Sequence, residues 1–185
     1  MKIYKQKVAF IKYITILIIA TFLTFFFHEM SHWIAYELLG YDASFTLNGA
    51  GVKDASKKLS KTEQIITSAS GPIFTIIQAI VFYLILKKRN NILLYPFLFL
   101  PFVMRLGAAW ANQFQPNDEG RISLNLNLNL YTISSIVVIF LFFLIFKISK
   151  YNKFSLFLNV ITFVISCILM LGIAYFDAKY KLRFI

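Results

Sequence analysis

The 185-residue chain is 59% hydrophobic and only 15% charged, and its apolar residues fall in runs too long for the elements of a soluble domain. Lysine and arginine outnumber acids 19 to 8, for a formal charge of +11. The basic residues sit at the ends of apolar runs (Lys2, Lys5, Lys7; Lys87, Lys88, Arg89; Lys147, Lys150, Lys153; Lys179, Lys181, Arg183), which points to headgroups and anionic lipid as the partner and away from nucleic acid.

The first apolar run, Val8 to Phe27, is long for a signal-peptide core and ends in no small-x-small pattern, so it is expected to stay as a membrane helix. That helix runs from about Val8 or Tyr13 to Leu39, where Gly40 is a stop signal. Tyr41 to Gln64 is polar, and Asn48-Gly49 between Ser44-Phe45-Thr46-Leu47 and Val52 predicts a short hairpin. A second helix is expected over about Glu63 to Leu86, closed by Lys87-Lys88-Arg89, and a third over about Ile92 to Ala111 despite Pro96 and Pro101. A polar connection, Asn112 to Arg121, follows. Leu124 to Leu130 alternates Leu and Asn as a strand would, but a lone strand in lipid leaves its backbone unsatisfied. One helix over about 122–146 is therefore expected, with Asn125 and Asn129 on one face, and a last helix over about 154–176. The expected fold is all-α and integral to the membrane: about five transmembrane helices, with a small polar insertion after the first, in a single domain over 1–185. Cys167, the one cysteine, excludes an internal disulfide and a thiolate metal cluster, and reads as a small packing or lipid-facing residue.

The first helix carries His28-Glu29-Met30-Ser31-His32, and these are the only histidines in the chain. Two histidines four apart on a helix share a face, so their imidazoles can converge on one ion. Glu29, beside the first histidine, stays out of the ligand pair while its carboxylate remains near a metal-bound water, where a zinc peptidase keeps its general base. With two histidines and four glutamates, chance would give this pattern roughly once in several thousand sequences of this length, so coincidence is a weak explanation. The bland alternative, a polar patch at a helix end, has to place Glu29 between Phe25-Phe26-Phe27 and Trp33-Ile34-Ala35, where an ionisable group is costly unless it serves a function.

Two imidazoles leave zinc too open, so a third protein ligand is required. With no other histidine and a remote cysteine it must be a carboxylate: Glu37, Asp42, Asp54, Glu63, Asp118, Glu119 or Asp177. Asp118 and Glu119 stand out because they lie in the turn Pro116-Asn117-Asp118-Glu119-Gly120-Arg121 between two apolar helices. Arg105, a charge inside the third helix, either snorkels to the nearer helix end or partners a carboxylate near the site. Thr24, Ser31, Ser68, Ser70 and Gln78 either line a path for water or bond between helices.

His28 to His32, then Gly71-Pro72, then Asn112 and Asp118-Glu119-Gly120-Arg121, resemble in order and spacing the site-2-protease family of intramembrane zinc metalloproteases. The likeness covers about Phe22 to Arg121, and Glu119 stands where the family places a glycine directly after its aspartate. The resemblance implies a catalytic core over about 8–121, Zn2+ held by His28, His32 and Asp118, Glu29 as general base, and Asn112 holding the substrate or polarising its carbonyl. The implied activity is endopeptidase cleavage of a membrane-embedded or membrane-proximal segment of another protein or peptide, unwound and paired with a strand-like loop at about Phe45 to Val52. A non-catalytic metal-binding helper or regulatory subunit is a second reading, against which the intact Glu29 argues. A membrane metallopeptidase using Glu119 as ligand is a third. Basic residues divide nearly evenly between the two sides, so charge does not choose an orientation; the resemblance implies a cytosol-facing site in a plasma membrane, expected to be bacterial.

Overall fold

The computed structural model describes residues 2–54 and 56–185, with side chains from residue 9 onward. In chain order it holds α1 (Lys2–Leu38), β1 (Ala43–Phe45), β2 (Ala50–Val52), α2 (Lys61–Lys88), α3 (Tyr95–Ala111, entered through a 3-10 turn at Ile92–Leu94), α4 (Asp118–Asn125), α5 (Thr132–Tyr151) and α6 (Leu156–Tyr180). Among the described residues five segments are long and apolar enough to cross a bilayer: Ala9–Leu38, Lys61–Lys88, Ile92–Ala111, Thr132–Tyr151 and Leu156–Tyr180. The protein is an all-α integral membrane protein with one small β insertion. Lipid offers the backbone no hydrogen-bond partner, so an apolar run there must satisfy its own amides within a helix.

The 30 residues of the first span measure roughly 45 Å against a ~30 Å hydrocarbon layer, so α1 tilts or protrudes. Lys2, Lys5 and Lys7, expected to anchor its start, have side chains outside the described ones. Gly40, at φ +83°, ends it as expected. α2 opens on a capping box in which Ser60 Oγ accepts from the Glu63 amide while Glu63 Oε2 accepts from the Ser60 amide, and it closes on exposed Lys87 and Lys88.

Leu98, Phe99 and Val103 of α3 mesh with Leu141, Leu144, Ile145 and Ile148 of α5 and with Ala79 and Leu86 of α2. Ile136, Ile139, Phe142, Phe143 and Phe146 on the far side of α5 are exposed to the acyl chains. Lipid tails solvate these residues about as well as a protein core does, so packing and polar stitches hold the helices together. Tyr13 and Thr162 hydroxyls lie 2.6 Å apart between α1 and α6, Gln78 donates from α2 to Thr24 Oγ1 (2.9 Å) and the Phe97 carbonyl (2.8 Å), and Asn152 donates to the Leu86 carbonyl (3.1 Å). Thr24 and Gln78 are thus interhelical bonds rather than a water path. Cys167 packs half-buried against the core.

A single helix over 122–146 does not form. α4 ends at Asn125, and Asn127 adopts the left-handed region at φ +58°, which turns the chain before α5 begins at Thr132. Asparagine tolerates that region better than most residues, and the freed backbone groups find local partners: the Leu128 amide donates to Ser123 O and the Ile133 amide to Ser123 Oγ. Asn125 and Asn129 do not share a helix face. Asn125 donates to Gln64 Oε1 of α2, whereas Asn129 Oδ1 accepts from the Tyr131 amide.

The hairpin forms where Asn48-Gly49 predicts it, with Ala43 opposite Val52, Ser44 opposite Gly51 and Phe45 opposite Ala50. It is tied down from the far end of the chain. Asp177 of α6 accepts from Thr46 Oγ1 (2.8 Å) and the Leu47 amide (3.2 Å), and beyond α6 the Phe184 amide donates to the Phe45 carbonyl (3.0 Å) with its ring stacked on Phe45. Asp177→Ala removes both charge-assisted bonds, each worth about 1.5–3 kcal/mol, from an element whose loss leaves the helix core intact. Trypsin cleavage at Lys53 in detergent is expected to quicken several-fold, with the midpoint of global unfolding nearly unchanged.

Candidate metal centre

α1 sets the first two groups. His28 and His32 stack one turn apart on its buried face, and their Nε2 atoms lie 3.2 Å from each other. His32 Nδ1 donates to the Thr67 carbonyl of α2 at 2.6 Å, with Ser70 Oγ 3.2 Å away, which fixes the tautomer that leaves the Nε2 lone pair free. α2 can come this close because position 71 has no side chain: a Cβ there would run into the His28 ring and His32 Nε2. α2 stays helical through Pro72, next along.

The third group arrives on α4. Asp118 opens that helix, and its Oδ2 lies 3.3 Å from His28 Nε2 and 3.3 Å from His32 Nε2. Metal–nitrogen bonds near 2.05 Å at tetrahedral angles put neighbouring ligand atoms about 3.3 Å apart, so these three atoms have the spacing of one face of a zinc tetrahedron. No other trio of His, Cys, Asp or Glu among the described residues converges in this way. Of the two candidate carboxylates in the turn, Asp118 is the one that meets both imidazoles. Glu119, buried to 1% exposure, points to Arg105 instead. Glu37 accepts from the Ala43 amide, Asp177 holds the hairpin, and Asp42 pairs with Lys53, so each is spent elsewhere.

Arg121 orients Asp118, and Arg105 meets it from α3. Arg121 donates from Nη2 to Oδ1 at 2.6 Å and from Nε to Ser68 Oγ at 3.0 Å, linking α4 to α2. Arg105 does not snorkel: it is 2% exposed, and its Nη1 reaches Asp118 Oδ2 at 3.1 Å and Glu119 at 3.2 and 3.3 Å. Burial alone would push the Asp118 carboxyl up, but the neighbouring imidazoles, His32 foremost and then His28, outweigh it and hold Asp118 well below the ordinary carboxylate range. The ionised carboxylate is the form a metal ligand needs.

Glu29 is buried on the same face, its Oε1 4.0 Å from His28 Nε2, beside the trio and outside it. It lines a cavity of about 870 Å³ that also takes in His28, His32, Asp118, Arg105 and the hairpin residues Asn48 to Ala50. A carboxylate placed there can accept a proton from a water bound at the trio.

Asn112 does not reach this cavity. Its Oδ1 accepts from the Asn117 amide (2.7 Å) and its Nδ2 donates to Ser134 Oγ (3.1 Å), so both ends of the side chain fix the turn that delivers Asp118. Gly120 leaves room for it, since a Cβ there would collide with Asn112 Oδ1. Ser31 and Ser70 turn back on the Phe27 and Thr67 carbonyls. The Thr67 carbonyl escaped the sequence reading, as did the grip of Arg121 on Asp118; Arg105 was expected to snorkel or to partner a carboxylate, and the structure gives it both Asp118 and Glu119.

No protein-family model, curated protein or solved structure matches the chain. The arrangement therefore stands on its own geometry. Gly71→Ala forces a methyl group against both imidazoles, and overpacking of this kind costs about 1–3 kcal/mol. A lowered unfolding midpoint in detergent is expected, with a smaller change for Gly172→Ala, where a Cβ meets nothing.

Proposed function

We propose that this chain is an intramembrane zinc-dependent endopeptidase of the site-2-protease kind, cutting membrane-embedded or membrane-proximal peptide segments. The observation that carries the reading is the mutual spacing of His28 Nε2, His32 Nε2 and Asp118 Oδ2, 3.2 to 3.3 Å on each edge, with the Glu29 carboxylate at their side. Zn2+ bound there would supply Lewis acidity, acidifying water and polarising a peptide carbonyl.

The chain's own residues divide the remaining work. His32, locked by Thr67, presents its Nε2 lone pair in a fixed tautomer, and His28 is seated beside it against Gly71. Asp118, gripped by Arg121, contributes the one formal negative charge in the ligand set. Glu29 takes the proton from the attacking water at its carboxylate and returns it to the departing amine. A membrane-borne substrate is the natural guest, since the site sits among membrane-spanning helices and the cavity extends to Asn48–Ala50 beside β2. β2 pairs only with β1 among the described residues, so an extended peptide can add to its other side through main-chain hydrogen bonds. The setting we assign is a plasma membrane, of a bacterial cell.

Purified protein is expected to carry about one zinc per chain, measured by mass spectrometry of the metal, with the ion lost in His28→Ala, His32→Ala and Asp118→Ala. Glu29→Gln should keep the metal while cleavage of a pool of membrane-spanning peptides in micelles falls at least ~100-fold. Cleavage undiminished in Glu29→Gln removes the mechanism. Zinc bound with no peptide cut by the unaltered chain turns the reading to a metal-binding helper subunit.

A further inference from the structure

The centre contains a charge that a zinc site would not be expected to tolerate. Arg105 Nη2 lies 3.3 Å from His28 Nε2 and Nη1 lies 3.1 Å from Asp118 Oδ2, so one guanidinium touches two of the three atoms assigned to the metal. A permanent cation at that distance repels a divalent ion and competes with it for the same lone pairs. The side chain cannot retreat to water, being 2% exposed on a helix packed against α1, α2 and α5.

What opposes it is Glu119. Both of its oxygens lie within reach of the same Nη1, at 3.2 and 3.3 Å, and the carboxylate is 1% exposed. Among the described residues no second cation pairs with it: Arg121, on the same helix, is committed to Asp118 Oδ1 and Ser68. Resting on the zinc reading above, we propose that Glu119 is the counter-ion of Arg105, a positioning residue that neutralises the guanidinium beside the metal-binding atoms and so sets metal affinity without ligating it. Asp118 and Glu119, adjacent in sequence, divide two tasks: one faces the ion, the other neutralises the cation that would displace it. α4 makes the division possible, because neighbours on a helix are turned about 100° apart and cannot both face the imidazoles.

The experiment measures Zn2+ affinity in detergent micelles by competition with a chromophoric chelator, on the full chain. Glu119→Gln leaves Arg105 with Asp118 as its only carboxylate, and affinity is expected to fall roughly 10- to 100-fold. The double variant Arg105→Met with Glu119→Gln removes cation and counter-ion together, and affinity is expected within about threefold of the unaltered chain, because a buried ion pair can be exchanged for neutral groups at little cost while one partner alone cannot be removed. A ligand role or a purely structural role for Glu119 would leave the double variant as weak as the single one, and that result overturns the proposal. So does Glu119→Gln with unaltered affinity. Should Glu119→Gln fail to fold, the double variant alone decides, since zinc bound at native strength requires that Glu119 matter only while Arg105 is present. Absence of zinc from the unaltered chain, by contrast, defeats the metal reading itself.

Discussion

The structure depends on bringing a carboxylate from a polar turn onto the buried face of a membrane helix. An anion among apolar helices is costly unless cations meet it in good geometry. Asp118 has two arginines and two imidazoles around it, at distances between 2.6 and 3.3 Å. Those four partners come from three helices: His28 and His32 from α1, Arg105 from α3, Arg121 from α4 itself. The site and the bundle are for this reason one cooperative object, because separating any of these helices would strand a charge in lipid.

The same logic governs the approach of the helices. α1 and α2 close on each other across Gly71, and α4 docks on α2 through Arg121 and Ser68 and through Asn125 and Gln64. Small residues let the backbones approach, and polar side chains then bond across the gap, the two devices by which helices associate where no hydrophobic drive exists. Asn112 and Gly120 do for the turn what Gly71 does for the histidines: absence of a Cβ in one strand of the chain is matched by a polar side chain filling the space from another.

Much of this was legible in the sequence because it is local. His28, Glu29 and His32 lie on one helix, and helical periodicity alone tells that the histidines share a face. The hairpin followed from Asn48-Gly49, and the spans from runs of apolar residues. What was hidden depends on tertiary facing. Whether Asp118 or Glu119 turns inward is set by the rotation of α4, which no spacing reports. Arg105 would snorkel on an isolated helix, and it stays buried only because two acids from α4 lie across from it. Asn112 looked available to a substrate until Asn117 and Ser134 took both ends of its amide. The break at Asn127 was missed because, with a lone strand excluded in lipid, a continuous helix was taken as the alternative, while one asparagine in a left-handed conformation and one serine that accepts two backbone amides were enough to end it.

The bond from Phe184 to Phe45 has a consequence for how the hairpin meets other chains. A bare two-stranded ribbon has two open margins and can template further strands on both, which is a route to filament growth. Here the backbone that follows α6 covers the margin of β1 at Phe45, with an aromatic ring laid over it. One side remains, along β2, so a visiting strand is directed to that margin.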